Sequence, residues 1–223
     1  MGKLELFFPV KPFRIFQKFG ENSACLRNDP FSIITKIGTV CPTGYVDLYP
    51  TLGLKGHNGL DIPASGILVH ASHDGLVTFA ALDATGGWTV AVRTHDKREY
   101  GGGEAHYKTI YCHLLQNLLV RAGQSVHVGD PLGYADTTGK VSGPHLHFGL
   151  KPVYLGEQDW QMGNAEQNNG YFGAIDPEPF FNGLYAEDFA GFQAQLKLIA
   201  SKIAELAVKV VKILNLWNQK HRL

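Results

Sequence analysis

Residues 143–150 read GPHLHFGL, with His145 and His147 one residue apart in a run that otherwise looks like a buried strand. On a strand, residues i and i+2 point to the same face. Both imidazoles therefore look one way, while Leu146 and Phe148 look into a core. Two neutral imidazoles on one face suit a metal ion, or a metal ion and a reacting group. Upstream, residues 56–64 read GHNGLDIPA. Gly59 and Pro63 make a helix poor here, so an extended chain is expected, with His57, Gly59 and Asp61 on one face. His57 offers nitrogen and Asp61 carboxylate oxygen, both ordinary zinc ligands. Gly59 between them is expected to leave room for an ion. His147 is the candidate third ligand, with a fourth position left for water. The third segment, TIYCHLL over 109–115, places Tyr111 and His113 on one strand face and Cys112 on the other. His113 is expected beside the open position rather than on the metal.

A β scaffold must bring these segments together, and the chain has the composition for one. It contains 223 residues, 44% hydrophobic, with 26 glycines. That is enough for one sizeable domain, or one domain with an appendage, and the glycine count suits turn-rich β structure. Formal net charge is zero, so no global field draws the protein to nucleic acid or anionic lipid. Strand-like pieces recur at 67–71, 76–82, 88–94 and 107–114, separated by turn signals such as Asp74–Gly75 and Gly86–Gly87. A first strand is expected within 7–20 and a polar Gly-rich connection at 97–103. Residues 21–54 read as an extended loop elaboration. Gly123, Gly129, Gly133 and Gly139 suggest tight corners. Residues 154–174, rich in Gly, Asn and Gln, read as a long surface loop, and IDPEPFF at 175–181 closes the β region.

The period then changes. Phe189, Phe192, Leu196, Ile199, Ile203, Leu206, Val210, Ile213 and Trp217 recur at alternating steps of 3 and 4. This is a heptad pattern, and a helix over 186–221 that associates with another copy is expected, ahead of a helix packed on its own β domain. Charges at Glu205, Lys209 and Lys212 argue against a membrane span. Cys25, Cys41 and Cys112 form no CxxC pair, so a thiolate metal site is not expected. Cys112 reads as a small buried apolar residue. A Cys25–Cys41 disulfide stays open but is not favoured, since nothing else in the sequence asks for an oxidising compartment. The N-terminal residues show neither a secretory signal nor an apolar span. The chain is therefore expected to be intracellular, exported by another route, or carried inside a larger particle such as a phage virion.

In their order and their Gly-turn framework, HNGLD, YCHL and HLH resemble the lysostaphin-type (LytM and LasA-like) zinc endopeptidases of bacterial cell walls. The resemblance runs from about residue 9 to 181 and includes PVKPFRIFQKFGEN, DGLVTFA and VRAGQSVHVGDPLGYADTTG. It implies a mainly β, antiparallel peptidase domain over 1–183, of the duplicated hybrid motif type, with a groove over the sheet. It implies one zinc ion held by His57, Asp61 and His147, with His113 and His145 as the catalytic histidines. The implied substrates are the bridge and stem peptides of peptidoglycan. A tyrosine near the oxyanion is also implied, for which Tyr45 and Tyr49 are candidates. The other class of reading is a catalytically silent binding or activating module; the complete set of ligand residues argues against it. His70, His73, His95, His106, His127 and His221 are expected in surface or structural roles, His73 and His106 lying near loops that face the groove. Asp176, before Pro177, is expected to form a turn.

Overall fold

Strands alternate along most of the chain because apolar residues recur with period two between glycine turns. The computed structural model describes residues 2–29, 31–154, 163–164 and 168–220. In chain order the first elements are β1 (Leu6–Phe8), β2 (Ala24–Asn28), β3 (Phe31–Thr35), β4 (Val46–Asp47) and the short helix α1 (Leu48–Thr51). Then come β5 (Leu60–Pro63), β6 (Leu68–His70), β7 (Gly75–Asp83), β8 (Gly87–Thr94), β9 (Arg98–Tyr100) and β10 (Gly103–Leu114). The remainder is β11 (Ser125–Val126), β12 (Pro131–Tyr134), β13 (His145–Tyr154), β14 (Gly163–Asn164), β15 (Phe181–Tyr185) and the long helix α2 (Ala186–Lys220). The architecture is mainly β and antiparallel with one long C-terminal helix.

The central sheet runs β11-β7-β8-β10-β13-β14, with β5 also paired to β13 and β9 to β10. Its ladders are antiparallel; β1 and β15 form a separate parallel pair. One face of this sheet is the core. Val90 and Val92 of β8, Tyr111 of β10 and Leu146, Phe148 and Leu150 of β13 are all fully buried there. The opposite face carries the intervening residues: Thr89 and Ala91, Lys108 and Ile110, and His145, His147, Gly149 and Lys151. Leu146 and Phe148 face the core, as strand alternation requires.

The elaboration at 21–54 is not the loop expected from its scattered Asn, Pro and Gly. β2, β3 and β4 form a small sheet followed by α1, and a Cys25–Cys41 disulfide ties it together. That disulfide overturns the preference for free thiols: the β2–β4 ladder sets Cys25 opposite Asp47, and Cys41 Sγ lies 3.2 Å from Asp47 Oδ1, which places the two cysteines side by side. Cys112 is free and buried, as expected. The first strand is also shorter than expected, since Pro9 and Pro12 have no N–H to donate to a ladder. Past β1 the chain bends, and Gln17 makes only an isolated bridge to Asp61. Likewise the 97–103 connection contains β9 and folds back as a hairpin on β10. The polar loop at 154–174 lies largely outside the described residues, at 155–162 and 165–167.

Among the described residues, helix α2 is buried against the domain at its first turn. Ala186 is fully buried, Phe189 meets Phe7 at 4.8 Å between ring centroids, and Lys11 pairs with Asp188 at 2.9 Å. From residue 191 to 214 every described position is exposed. The reading in which this helix covers its own β domain therefore does not hold. Among the described residues no helix is long and apolar enough to cross a membrane.

Candidate metal centre and groove

Three segments meet on the open face of β13. The β5–β13 ladder sets Asp61 directly opposite His147, and His57 reaches in from the bend before β5. The ligand atoms of His57, Asp61 and His147 lie within 4.8 Å of one another. His57 Nε2 and His147 Nδ1 are each 3.1 Å from Asp61 Oδ1, and 2.9 Å from each other. The outer nitrogen of His57, Nδ1, bonds the Lys18 carbonyl at 3.2 Å, which directs Nε2 at the cluster. Two imidazole nitrogens and a carboxylate oxygen, converging from a buried shell with one side open to a cleft, are a donor set suited to zinc with a free position. The residues present fit that ion. Gly59 contributes differently from expectation. A Cβ there would lie 2.8 Å from the His147 ring and 2.6 Å from the Phe148 carbonyl, so glycine makes room for the ligand ring rather than for the ion.

His145 and His113 stand beside this cluster, their ring centroids 4.8 Å apart. His145 Nδ1–H donates to the Gly143 carbonyl at 2.9 Å, turning Nε2 to within 3.4 Å of Asp61. His113 Nδ1–H donates to the Thr138 carbonyl at 2.8 Å, leaving Nε2 as the free acceptor. The expected route for His113 is wrong in one respect. Simple alternation paired it with Tyr111 and turned Cys112 away. Instead, β10 shifts register against β8 between Tyr111 and Leu114, and His113 takes φ +63°. This bulge lets Tyr111 and Leu114 both enter the core while Cys112 and His113 both line the groove. Bulges of this kind re-aim side chains at functional positions.

Electrostatics keep the roles of these groups apart. Burial opposes ionisation of Asp61, but hydrogen bonds from His145, His147 and His57 hold its carboxyl well below the usual range. Burial, reinforced by His147 and His145, pushes His113 down to about 3, so its ring is neutral at physiological pH. Burial also lowers His147. His145 is raised: burial works against its charged form, and the Asp61 contact overcomes it.

The groove is a cleft of about 570 Å³. Its floor is the open face of the central sheet; the disulfide-tied unit supplies a wall through Ile33, Leu48, Tyr49 and Leu52. Tyr49 is buried, hydrogen-bonded to Gln17, with its ring 5.7 Å from that of His57. Tyr45 does not line the groove. His73 and His106, expected near the groove, are buried away from it. His73 bonds Thr109 Oγ1 at 3.0 Å and the Asp74 carbonyl at 2.9 Å; His106 bonds the Thr94 carbonyl at 3.0 Å. Asp176 caps a turn by accepting from Glu178 N–H at 3.0 Å. Sequence reasoning missed the orienting carbonyls of Lys18, Thr138 and Gly143, because no residue type marks a backbone acceptor. Thr138 also bonds Trp88 N–H at 2.9 Å and the Leu114 carbonyl at 2.6 Å, locking the loop that holds His113. Close approach of this loop to 85–87 needs Gly139, where a Cβ would strike the Gly87 nitrogen.

A β-sheet groove with a two-histidine, one-carboxylate centre and two further histidines is an arrangement suited to metal-dependent hydrolysis. Residues 55–160, just under half of the chain, match the model of Peptidase family M23. A peptidoglycan DD-endopeptidase of Vibrio cholerae, ShyC, is 35% identical over 103 residues, 45% of this chain and 22% of that protein. The DD-carboxypeptidase/endopeptidase Mpg of Neisseria meningitidis is 35% identical over 118 residues, 52% of this chain and 24% of its own length. This chain thus spans about a quarter or less of these curated relatives. Among solved structures, a zinc-containing peptidase from Vibrio cholerae aligns with TM-score 0.45 and 25% identity, covering 73% of this chain and 40% of that one. The catalytic domain of lysostaphin from Staphylococcus simulans aligns with TM-score 0.42 and 24% identity, covering 56% and 79%.

Proposed function

We propose that this protein is a zinc-dependent endopeptidase that hydrolyses peptide bonds in the stem or cross-bridge peptides of bacterial peptidoglycan. The observation that carries the reading is the convergence of His57, Asp61 and His147 beside His113 and His145 at the floor of an open groove. The peptidoglycan endopeptidases among the relatives support the substrate class. Bound at the three ligands, zinc supplies Lewis acidity that activates water and polarises the scissile carbonyl. His113, neutral and held by the Thr138 carbonyl, accepts a proton at Nε2. His145, whose Nδ1–H is held by the Gly143 carbonyl, presents its other ring nitrogen to the developing oxyanion or the departing amine. Tyr49, next to His57, is the tyrosine placed to assist. In this reading residues 1–183 are the peptidase unit and the heptad helix is a separate device for self-association, suited to mounting the enzyme on a larger particle.

The test is digestion of purified walls from several bacteria by the zinc-loaded protein, with product masses read out. Paired new amine and carboxyl termini are expected, and none with His113→Ala. Intact walls from every source would refute the reading.

A further inference from the structure

The groove floor carries a charge pattern that metal chemistry does not use. Lys108 on β10 and Lys151 on β13 are direct register partners on the open face of the sheet, and both line the cleft. Like charges directly opposite across an antiparallel pair repel and destabilise it. These two are also half-buried, so each is partly stripped of water. Burial lowers Lys108, and burial together with Lys108 brings Lys151 down to about 8. Among the described residues neither lysine has a hydrogen-bonded or ion-paired carboxylate, whereas Lys11, Lys18, Lys36 and Lys209 do. Ile110 and Gly149 follow them along the floor, and Arg93 of β8 is the register partner of Lys108 on its other side, so none of these neighbours offers a counter-charge. Such a pair is tolerated where something negative comes to sit between the two ammonium groups.

We infer that Lys108 and Lys151 form a carboxylate subsite that selects peptide substrates bearing a negative charge at a set distance from the bond cut. The inference rests on the endopeptidase reading above. Its geometry comes from β13 itself. His147, Gly149 and Lys151 share one face at steps of two, so Lys151 lies four residues from the metal ligand, roughly 13 Å along the strand. An extended peptide lying over the floor advances by about the same distance per residue. The carboxylate read by the lysines is therefore about four substrate residues from the scissile carbonyl, or fewer where the long lysine side chains reach back. Gly149 between them, opposite Ile110, keeps the floor low along that path.

The experiment compares stem peptides solubilised from bacterial walls before and after chemical amidation of their carboxylates, using the zinc-loaded full chain. The unmodified peptides should be cleaved with kcat/KM at least tenfold above the amidated ones. That ratio should fall to about one in the Lys108→Met, Lys151→Met double variant and stay near tenfold in the Lys108→Arg, Lys151→Arg variant. Synthetic peptides amidated only at the C terminus, or only at a side chain, then tell which carboxylate is read. A wild-type ratio near one, or a Met variant that keeps the full ratio, overturns the subsite. If the Met variant does not fold, the Gln pair replaces it in the same comparison. If the wild type cleaves neither form, the catalytic reading fails and binding decides the subsite. Fluorescence anisotropy of labelled acid and amide peptides should then show a preference for the acid that the Met variant loses; equal binding of the two forms overturns it.

Discussion

At the scale of single residues, the proposed ligands and the proposed proton carriers are separable. His57, Asp61 and His147 point their donor atoms at one another, whereas His113 and His145 are held by carbonyls outside that cluster. Replacing any of the first three by Ala is expected to abolish zinc retention, measured by metal analysis after dialysis. His113→Ala and His145→Ala should keep one zinc per chain yet lose about 10²–10⁴-fold in kcat, the range for a removed general acid or base. A second prediction concerns His73. Burial pushes this ring down to about 4, while unfolded it titrates near 6.5. The unfolded chain thus binds the extra proton first. Stability is unaffected above pH 6.5, falls as pH drops from 6.5 to 4, and levels off below. The loss amounts to about 3 kcal/mol over that window. His73→Gln should flatten this limb in urea unfolding measured across pH.

Between elements, two devices place the groove and the proposed base. The first is the bulge in β10, which forces His113 to φ +63°, a conformation that costs a non-glycine residue about 1 kcal/mol or more. His113→Gly should therefore be more stable than His113→Ala by about 1 kcal/mol, in thermal or urea melts, while both are inactive. The second is the Cys25–Cys41 bridge, which closes a segment of sequence separation 16 in the groove wall. Chain entropy puts the stabilisation from such a loop at about 3 kcal/mol. Because the wall packs through the small cluster of Ala24, Tyr49 and Leu54, the Cys25→Ser, Cys41→Ser variant should loosen it first. Faster amide exchange in β2, β3 and α1 than in β8 and β10 is expected by mass spectrometry, together with a raised KM.

Across the whole molecule, the β domain and the helix solve burial differently. The sheet closes its own core, but α2 leaves the domain after its first turn and carries Leu196, Ile199, Ile203 and Leu206 exposed at between 45% and 62%. A helix so apolar on its seam is stabilised by a partner face rather than by propensity. A second copy is the occupant proposed from the heptad spacing. Native mass spectrometry and sedimentation should show an oligomer for the intact chain and a monomer for Ile203→Asp, with peptidase activity on short peptides retained. A strictly monomeric wild type would refute self-association.

The amino-acid sequence by itself determined most of the strands and which chemistry-bearing residues share a face. His57, Asp61, His145 and His147 were legible because strand alternation converts spacing into shared faces, and the histidine order within glycine turns resembled one family. The helix was legible because its period is local. What only the tertiary structure decided were features with non-local causes. The β10 bulge arises from pairing with β8, so Tyr111 and His113 could not be assigned to faces by alternation. The disulfide depends on ladders that fold residues 21–54 into a wall rather than a loop. The lysine pair depends on the register between β10 and β13, 43 positions apart in Lys108 and Lys151. Local propensity is written residue by residue, whereas register, bulges and backbone acceptors come into being only when distant segments pack.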